Sequence, residues 1–151
     1  MHQQPIYDWY HAYHTGLYRF ALSILKDPHS AEDALQEAFI RLLEQNRLPD
    51  SEKAQAWLYR VVRNICYDIL RRHKRETEEN PAAAAPAAGN WEFIELIAPL
   101  PQKEQEILAL RFIGGFSHKE IASIMGTTVH GTKKRYERAI QKLRTEMEVC
   151  T

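Results

Sequence analysis

Between residues 53 and 72, apolar side chains recur in pairs about every four positions: Trp57 and Leu58, Val61 and Val62, Ile65 and Cys66, then Ile69. That period predicts an amphipathic helix with these residues turned to a core. Arg60, Arg63, Asn64, Tyr67, Asp68, Arg71 and Arg72 fall on its flank or opposite side. Upstream, Tyr10, Tyr13, Leu17, Phe20 and Ile24 form a stripe that predicts a first helix within residues 6–25. Asp27-Pro28 ends it, because the proline ring disfavours helix in the residue before it. Ser30 is then expected to cap a second helix with acids in its first turn, where the helix dipole favours them. Ala34, Leu35, Ala38, Phe39, Leu42 and Leu43 are its expected buried stripe, with Asp33, Gln36, Glu37 and Arg41 projecting elsewhere. Residues 46–51, with Pro49, read as a loop.

The C-terminal third carries a different pattern. Ser117-His118-Lys119-Glu120 fits the S-x-x-E capping box of a helix start. Ile121, Ala122, Ile124 and Met125 follow as a short apolar face, and Gly126 stands where a helix would stop in left-handed geometry. After a Thr127-Thr128 restart, Tyr136, Ala139, Ile140 and Leu143 mark a second helix, whose other positions hold Lys133, Lys134, Arg135, Arg138, Lys142 and Arg144. Two short helices joined at a glycine, the second one basic, suit a helix-turn-helix inserted in a DNA major groove. A structural corner with a solvated basic face is the plainer alternative. Residues 76–90 separate the two patterns. They open on Glu76, Glu78 and Glu79 and continue as an alanine run broken by Pro81, Pro86 and Gly89. The prolines and glycine interrupt helix, so a linker is expected between two small helical domains. No strand-like alternation is present, and the predicted fold class is all-α.

Composition sharpens this picture in two places. The formal net charge of the 151 residues is zero, which argues weakly against indiscriminate nucleic-acid binding but averages over opposed segments. Residues 60–75 carry a balance of +5 and residues 30–52 one of −4; separate acidic and basic surfaces can hold two different partners. The two cysteines, Cys66 and Cys150, make neither a disulfide framework nor a zinc site. His11 and His14 lie three apart without a further ligand set, so no metal or cofactor is expected. No signal peptide, transit peptide or long apolar run appears, which points to a cytoplasmic protein without membrane insertion.

Taken together, these segments resemble bacterial RNA polymerase sigma factors of the extracytoplasmic-function (ECF) group. Residues 31–39, AEDALQEAF, are similar to the family's acidic helix A-E-D-x-x-Q-E-x-F. Ala56-Trp57-Leu58-Tyr59-Arg60 with Arg63-Asn64 and Asp68 is similar to its W-L-x-x-I-x-x-N-x-x-x-D helix. Leu100-Pro101, Leu110-Arg111-Phe112, Gly115-Phe116-Ser117 and Glu120-Ile121-Ala122 resemble the start of its C-terminal domain. Arg135, Arg138, Ala139 and Leu143-Arg144 match the end of its recognition helix. The likeness covers residues 17–75 and 99–144. It implies a region 2-like domain at 1–75, a linker at 76–98 and a region 4-like helix-turn-helix domain at 99–151.

The resemblance also implies a division of labour without catalysis. Asp33, Gln36 and Glu37 would dock on the clamp helices of the polymerase largest subunit, a contact that supplies orientation and on-rate more than affinity. Arg60, Arg63, Asn64 and Asp68 would lie against the −10 promoter element, and the 46–53 loop would receive an unstacked base. Trp57 would be a core anchor. Lys133, Lys134, Arg135 and Arg138, with Thr128 and His130, would read the −35 element, while Arg111, Ser117 and Lys119 hold phosphates. An anti-sigma protein, in many family members membrane-anchored, would be the regulatory partner. The chain departs from the family at Val129-His130-Gly131-Thr132-Lys133, where glycine is displaced by one position and threonine stands where valine would pack. Glycine within a helix costs about 0.5–1 kcal/mol relative to alanine. Either the helix starts later, or His130 and Gly131 alter the approach to the bases. A stand-alone helix-turn-helix regulator, which would need no acidic docking helix, is the alternative from the binding class. A hydrolase using His11, His14 or Cys66 is the alternative from the enzyme class, although Cys66 falls on the apolar face.

Overall fold

The computed structural model describes residues 3–77 and 91–149. The chain divides into two compact units, 1–87 and 88–151, and every regular element among the described residues is an α-helix. The first unit holds α1 (Gln3–Leu25), α2 (Pro28–Leu43) and α3 (Ser51–Thr77). The second holds α4 (Trp91–Ile97), α5 (Gln102–Phe112), α6 (His118–Met125) and α7 (Val129–Val149).

In the first unit each helix packs on the other two. Leu17 and Phe20 of α1, Ala34 and Leu42 of α2, and Leu58 and Val62 of α3 are fully buried. The predicted stripes need correction at their edges. Tyr10 is 43% exposed, and its ring meets Phe39 edge-on at 5.1 Å. Trp57, Val61 and Ile69 are only half-buried, so Trp57 is not the core's anchor. That place belongs to Tyr59, 1% exposed with its ring 5.2 Å from Phe20. Burial pushes the Tyr59 phenol well above its ordinary pKa of 10.0. Leu43, expected inside, is 57% exposed, because one step round the helix from the fully buried Leu42 it turns to the outer side with Ile40.

The α1–α2 junction also differs from expectation. Asp27, not Ser30, caps α2, and Pro28 opens the helix, where its fixed φ is pre-organised and its missing N–H is no loss. Ser30 sits inside the first turn and donates both its amide and its hydroxyl to Asp27 Oδ2, at 3.1 and 2.6 Å. The hydroxyl hydrogen bond is the main reason the Asp27 carboxyl lies below its ordinary 3.8. The acids Glu32 and Asp33 consequently fall beyond the first turn. Lys26, just past the end of α1, takes the left-handed conformation at φ 58°.

In the second unit, Ile97, Leu100 and Leu108 meet Ala139 and Leu143 of α7, with Phe93, Tyr136 and Ile140 packed around them. Residues 91–97, read above as the end of a linker, form α4 because Ile94 and Ile97 bury one face of it. Residues 76–77, also read above as linker, are the last two of α3, and residues 78–90 lie outside the described residues, as does Cys150. Helix α5 is buried along its whole middle, Glu104, Gln105 and Glu106 included. Gln105 Nε2 donates to the carbonyls of Ala98 and Leu100, at 3.2 and 2.7 Å, satisfying acceptors at the end of α4. The Glu104 carboxylate receives Lys142 Nζ at 3.0 Å, which ties α5 to α7.

Candidate nucleic-acid and partner interfaces

The α6–α7 corner is built from matched caps. Ser117 Oγ accepts the Glu120 amide at 3.2 Å, and Glu120 Oε1 accepts the Ser117 amide at 3.0 Å, completing the capping box. Gly126 closes α6 at φ 69°, a conformation that favours glycine. Thr128 then starts α7: its Oγ1 accepts the Gly131 amide at 3.0 Å, and its carbonyl accepts the Thr132 amide and hydroxyl at 3.0 and 2.9 Å.

This geometry resolves the departure at residues 129–133. The helix begins at Val129, so a later start is excluded. Thr132 is completely buried, and the Thr128 carbonyl satisfies its hydroxyl, which lets threonine fill an apolar space. A Cβ on Gly131 would come within 2.9 Å of Thr128 Oγ1, so glycine leaves room for the cap.

Helical spacing sets His130, Lys133, Lys134 and Arg138, all exposed, on the side of α7 away from Thr132, Ala139 and Leu143. Glu137 lies among them, an acid the sequence reading left out. Arg135 sits at the flank, half-buried. Thr128 and Lys119 are exposed beside the corner. Ser117 and Arg111 are already engaged, the first as a cap and the second by donating Nη1 to the Phe116 carbonyl at 2.9 Å. Behind the corner, Phe93, Phe112, Tyr136 and His118 form a chain of ring contacts at 6.4, 6.5 and 4.8 Å.

The first unit presents two surfaces. On α2, Asp33 and Gln36 are exposed and Glu37 is half-buried. Asp33 approaches His29 at 3.7 Å and Glu37 pairs with Arg41 at 3.2 Å; pairs this exposed contribute at most about 1 kcal/mol. Ile40 continues the same side, 47% exposed, and Leu43 follows it. The sequence reading missed both, since only the helix's position against α1 and α3 decides which apolar residues are left over. On α3, Arg60 and Asn64 are exposed, and the Arg63 guanidinium lies over the Tyr67 ring at 5.0 Å. Asp68 is set apart from these three. It pairs with Arg71 and lines a groove of about 570 Å³ between α2 and α3, shared with Asp33, Glu37 and Arg72.

The residues weighed for enzyme chemistry are held otherwise. Cys66 is fully buried. The His14 ring stacks on Tyr10 at 5.0 Å, and its Nδ1 lies 2.8 Å from the Tyr10 carbonyl. Among the described residues, no three His, Cys, Asp or Glu side chains are grouped to hold a metal ion, and no helix is long and apolar enough to cross a membrane.

Comparison with known proteins gives matches across both units. The family model Sigma-70 region 2 matches residues 9–76, and Sigma-70, region 4 matches residues 91–143. The chain is 33% identical over 147 residues to the ECF RNA polymerase sigma factor SigM of Bacillus subtilis, covering 89% of this chain and 90% of SigM. It is 31% identical over 139 residues to the ECF RNA polymerase sigma factor EcfG of Rhodopseudomonas palustris, covering 85% and 77%. Among solved structures, the sigma factor RpoE of Bartonella quintana, in complex with the anti-sigma factor NepR, superposes with a TM-score of 0.72 at 26% identity, covering 88% of this chain and 90% of that one. CnrH, in complex with the cytosolic domain of CnrY, shares the fold at a TM-score of 0.72 and 20% identity, covering 97% and 89%.

Proposed function

The chain belongs to the ECF sigma factors, which direct RNA polymerase to specific promoters at transcription initiation, and we propose that its exposed faces divide that work. The face of α2 bearing Asp33, Gln36 and Glu37 docks on the clamp helices of the polymerase largest subunit. Arg60, Arg63 and Asn64 of α3 contact the −10 element, and Asp68 steadies Arg71 beside them. On α7, His130, Lys133, Lys134 and Arg138 enter the major groove at the −35 element. Thr128 and Lys119 hold flanking phosphates, along with the hydrogen-bonding capacity that Arg111 and Ser117 retain. Arg135 reaches a phosphate from the helix flank. Glu137 suits acceptance from a cytosine amino group, a base-edge contact the cations cannot make.

One observation carries the reading: a doubly capped helix-turn-helix with an exposed basic face shares a chain with an acidic α2 and a basic α3. A stand-alone repressor has no use for the acidic helix. The protein acts without a catalytic step of its own and in the cytoplasm, where polymerase works. Because RpoE of Bartonella quintana is found in complex with the anti-sigma factor NepR, such a protein is the expected regulator here too.

Incubating the purified protein with bacterial core polymerase, followed by transcription from a genomic promoter library, tests the proposal. Stable association with new, promoter-specific transcripts is expected. DNA binding without polymerase association would replace it with the stand-alone regulator.

A further inference from the structure

Around α7, the direction farthest from the buried Thr132, Ala139 and Leu143 is taken by His130, Lys134, Glu137 and Gln141, at spacings of 4, 7 and 11. All four are exposed. Lys133 and Arg138 flank that row on opposite sides. The arrangement puts a carboxylate near the centre of a face otherwise furnished with cations. Among the described residues Glu137 enters no ion pair, so neither lysine one turn before it takes up its charge. Phosphates repel such a group, so on DNA it has to face a base edge.

In the major groove guanine offers only acceptors, thymine an acceptor and a methyl group, adenine one acceptor and one donor, and cytosine a lone amino donor. A carboxylate satisfies cytosine, and against guanine or thymine it is left desolvated and unpaired, at a cost. Resting on the sigma-factor reading, we propose that Glu137 is the specificity-determining residue of α7 and works by exclusion. The −35 element carries cytosine opposite it, and every duplex without an amino group there is penalised. The charges of Lys133, Lys134 and Arg138 attract every duplex through its backbone, so they raise specific and non-specific binding together. Glu137 lowers the second without lowering the first. A promoter has to be found among a large excess of other sequence, where this ratio counts for more than affinity alone.

The test uses holoenzyme assembled from the full chain and core polymerase, at one fixed salt concentration. Its binding is measured on a promoter recovered from the library above, with the −35 positions randomised, and on a duplex without a promoter. The wild type is expected to select cytosine at one position, with substitution there costing roughly 5- to 100-fold. Glu137→Gln, whose amide pairs with adenine N6 and N7, should move the preference at that position to adenine. Glu137→Ala should lose preference there alone and bind the promoter-free duplex more tightly. Glu146→Ala removes an equal charge nine residues along the same helix and should change neither. Unchanged base preference in both Glu137 variants would overturn the exclusion. So would an equal loss of preference at every position, which marks a structural role. The same holds if promoter-free binding is unaltered in Glu137→Ala, or rises as much in Glu146→Ala, since net charge alone would then account for it. Core association and promoter-specific transcription of the wild-type chain are measured first; failure there overturns the sigma-factor reading itself.

Discussion

At the scale of single residues, Thr128, Gly131 and Thr132 form one unit. The Thr128 hydroxyl holds the Gly131 amide, and Gly131 has no Cβ to push that hydroxyl aside. In an ordinary helix interior, alanine for glycine stabilises by about 0.5–1 kcal/mol. Here Gly131→Ala should give no such gain, because the cap it disturbs is worth about as much, ~1 kcal/mol. Thr128→Ala alone should cost about that amount. In the Thr128→Ala background, however, Gly131→Ala should stabilise by its full helix propensity. A double-mutant cycle on thermal unfolding reads this coupling directly; additive effects would mean that the glycine has nothing to do with the cap. The sequence showed this site as an anomaly and left two explanations standing. It could not choose between them because the choice depends on one contact between a side chain and a position where none exists. Glu104 and Gln105 were harder still. Their polar character reads as surface, yet their partners are two carbonyls at the end of α4 and an ammonium 38 positions away.

At the scale of elements, α2 shows which boundaries a linear pattern can carry. Asp27-Pro28 was legible as an end of helix and equally spelled a beginning; aspartate at the cap and proline in the first turn do both jobs in two residues. This cap is pH-dependent. The Asp27 carboxyl is held below its ordinary 3.8 in the folded chain, so its contribution is complete above that value and is lost as pH falls through the lower, folded one. Asp27→Asn keeps a capping oxygen but cannot titrate. Amide exchange at Ser30 and Ala31 should therefore speed up, relative to neutral pH and the intrinsic rate, on acidification of the wild type but not of Asp27→Asn. Parallel behaviour in the two proteins would remove the carboxylate from the account. The outer face of the same helix bears on partner choice. Asp33→Lys with Glu37→Lys should abolish core-polymerase binding and leave helicity by circular dichroism unchanged. Because Ile40 and Leu43 extend that face, Ile40→Ala should also weaken core binding, by about 1 kcal/mol or more if it fills a desolvated pocket. Unchanged affinity in both variants would take the docking role away from α2.

At the scale of the whole molecule, zero net charge hides a separation of acidic and basic faces. The acidic α2 face and the basic α7 face belong to different compact units, so substitutions on one should not propagate to the other. Promoter binding through α7 is expected to be strongly salt-dependent, since each phosphate neutralised releases counterions, with a slope near −0.9 per contact on duplex DNA. Replacing Lys133 and Lys134 by alanine should reduce the salt slope of holoenzyme binding to a −35 duplex by roughly one for each lost phosphate contact. If either lysine reads a base edge instead, discrimination between −35 sequences should relax while the slope stays nearer wild type. Core-polymerase affinity should be the same in both cases. A fall in core affinity matching the fall in DNA affinity would mean that the faces are not independent. The opposite charges would then serve folding or self-association, not the bridging of two partners.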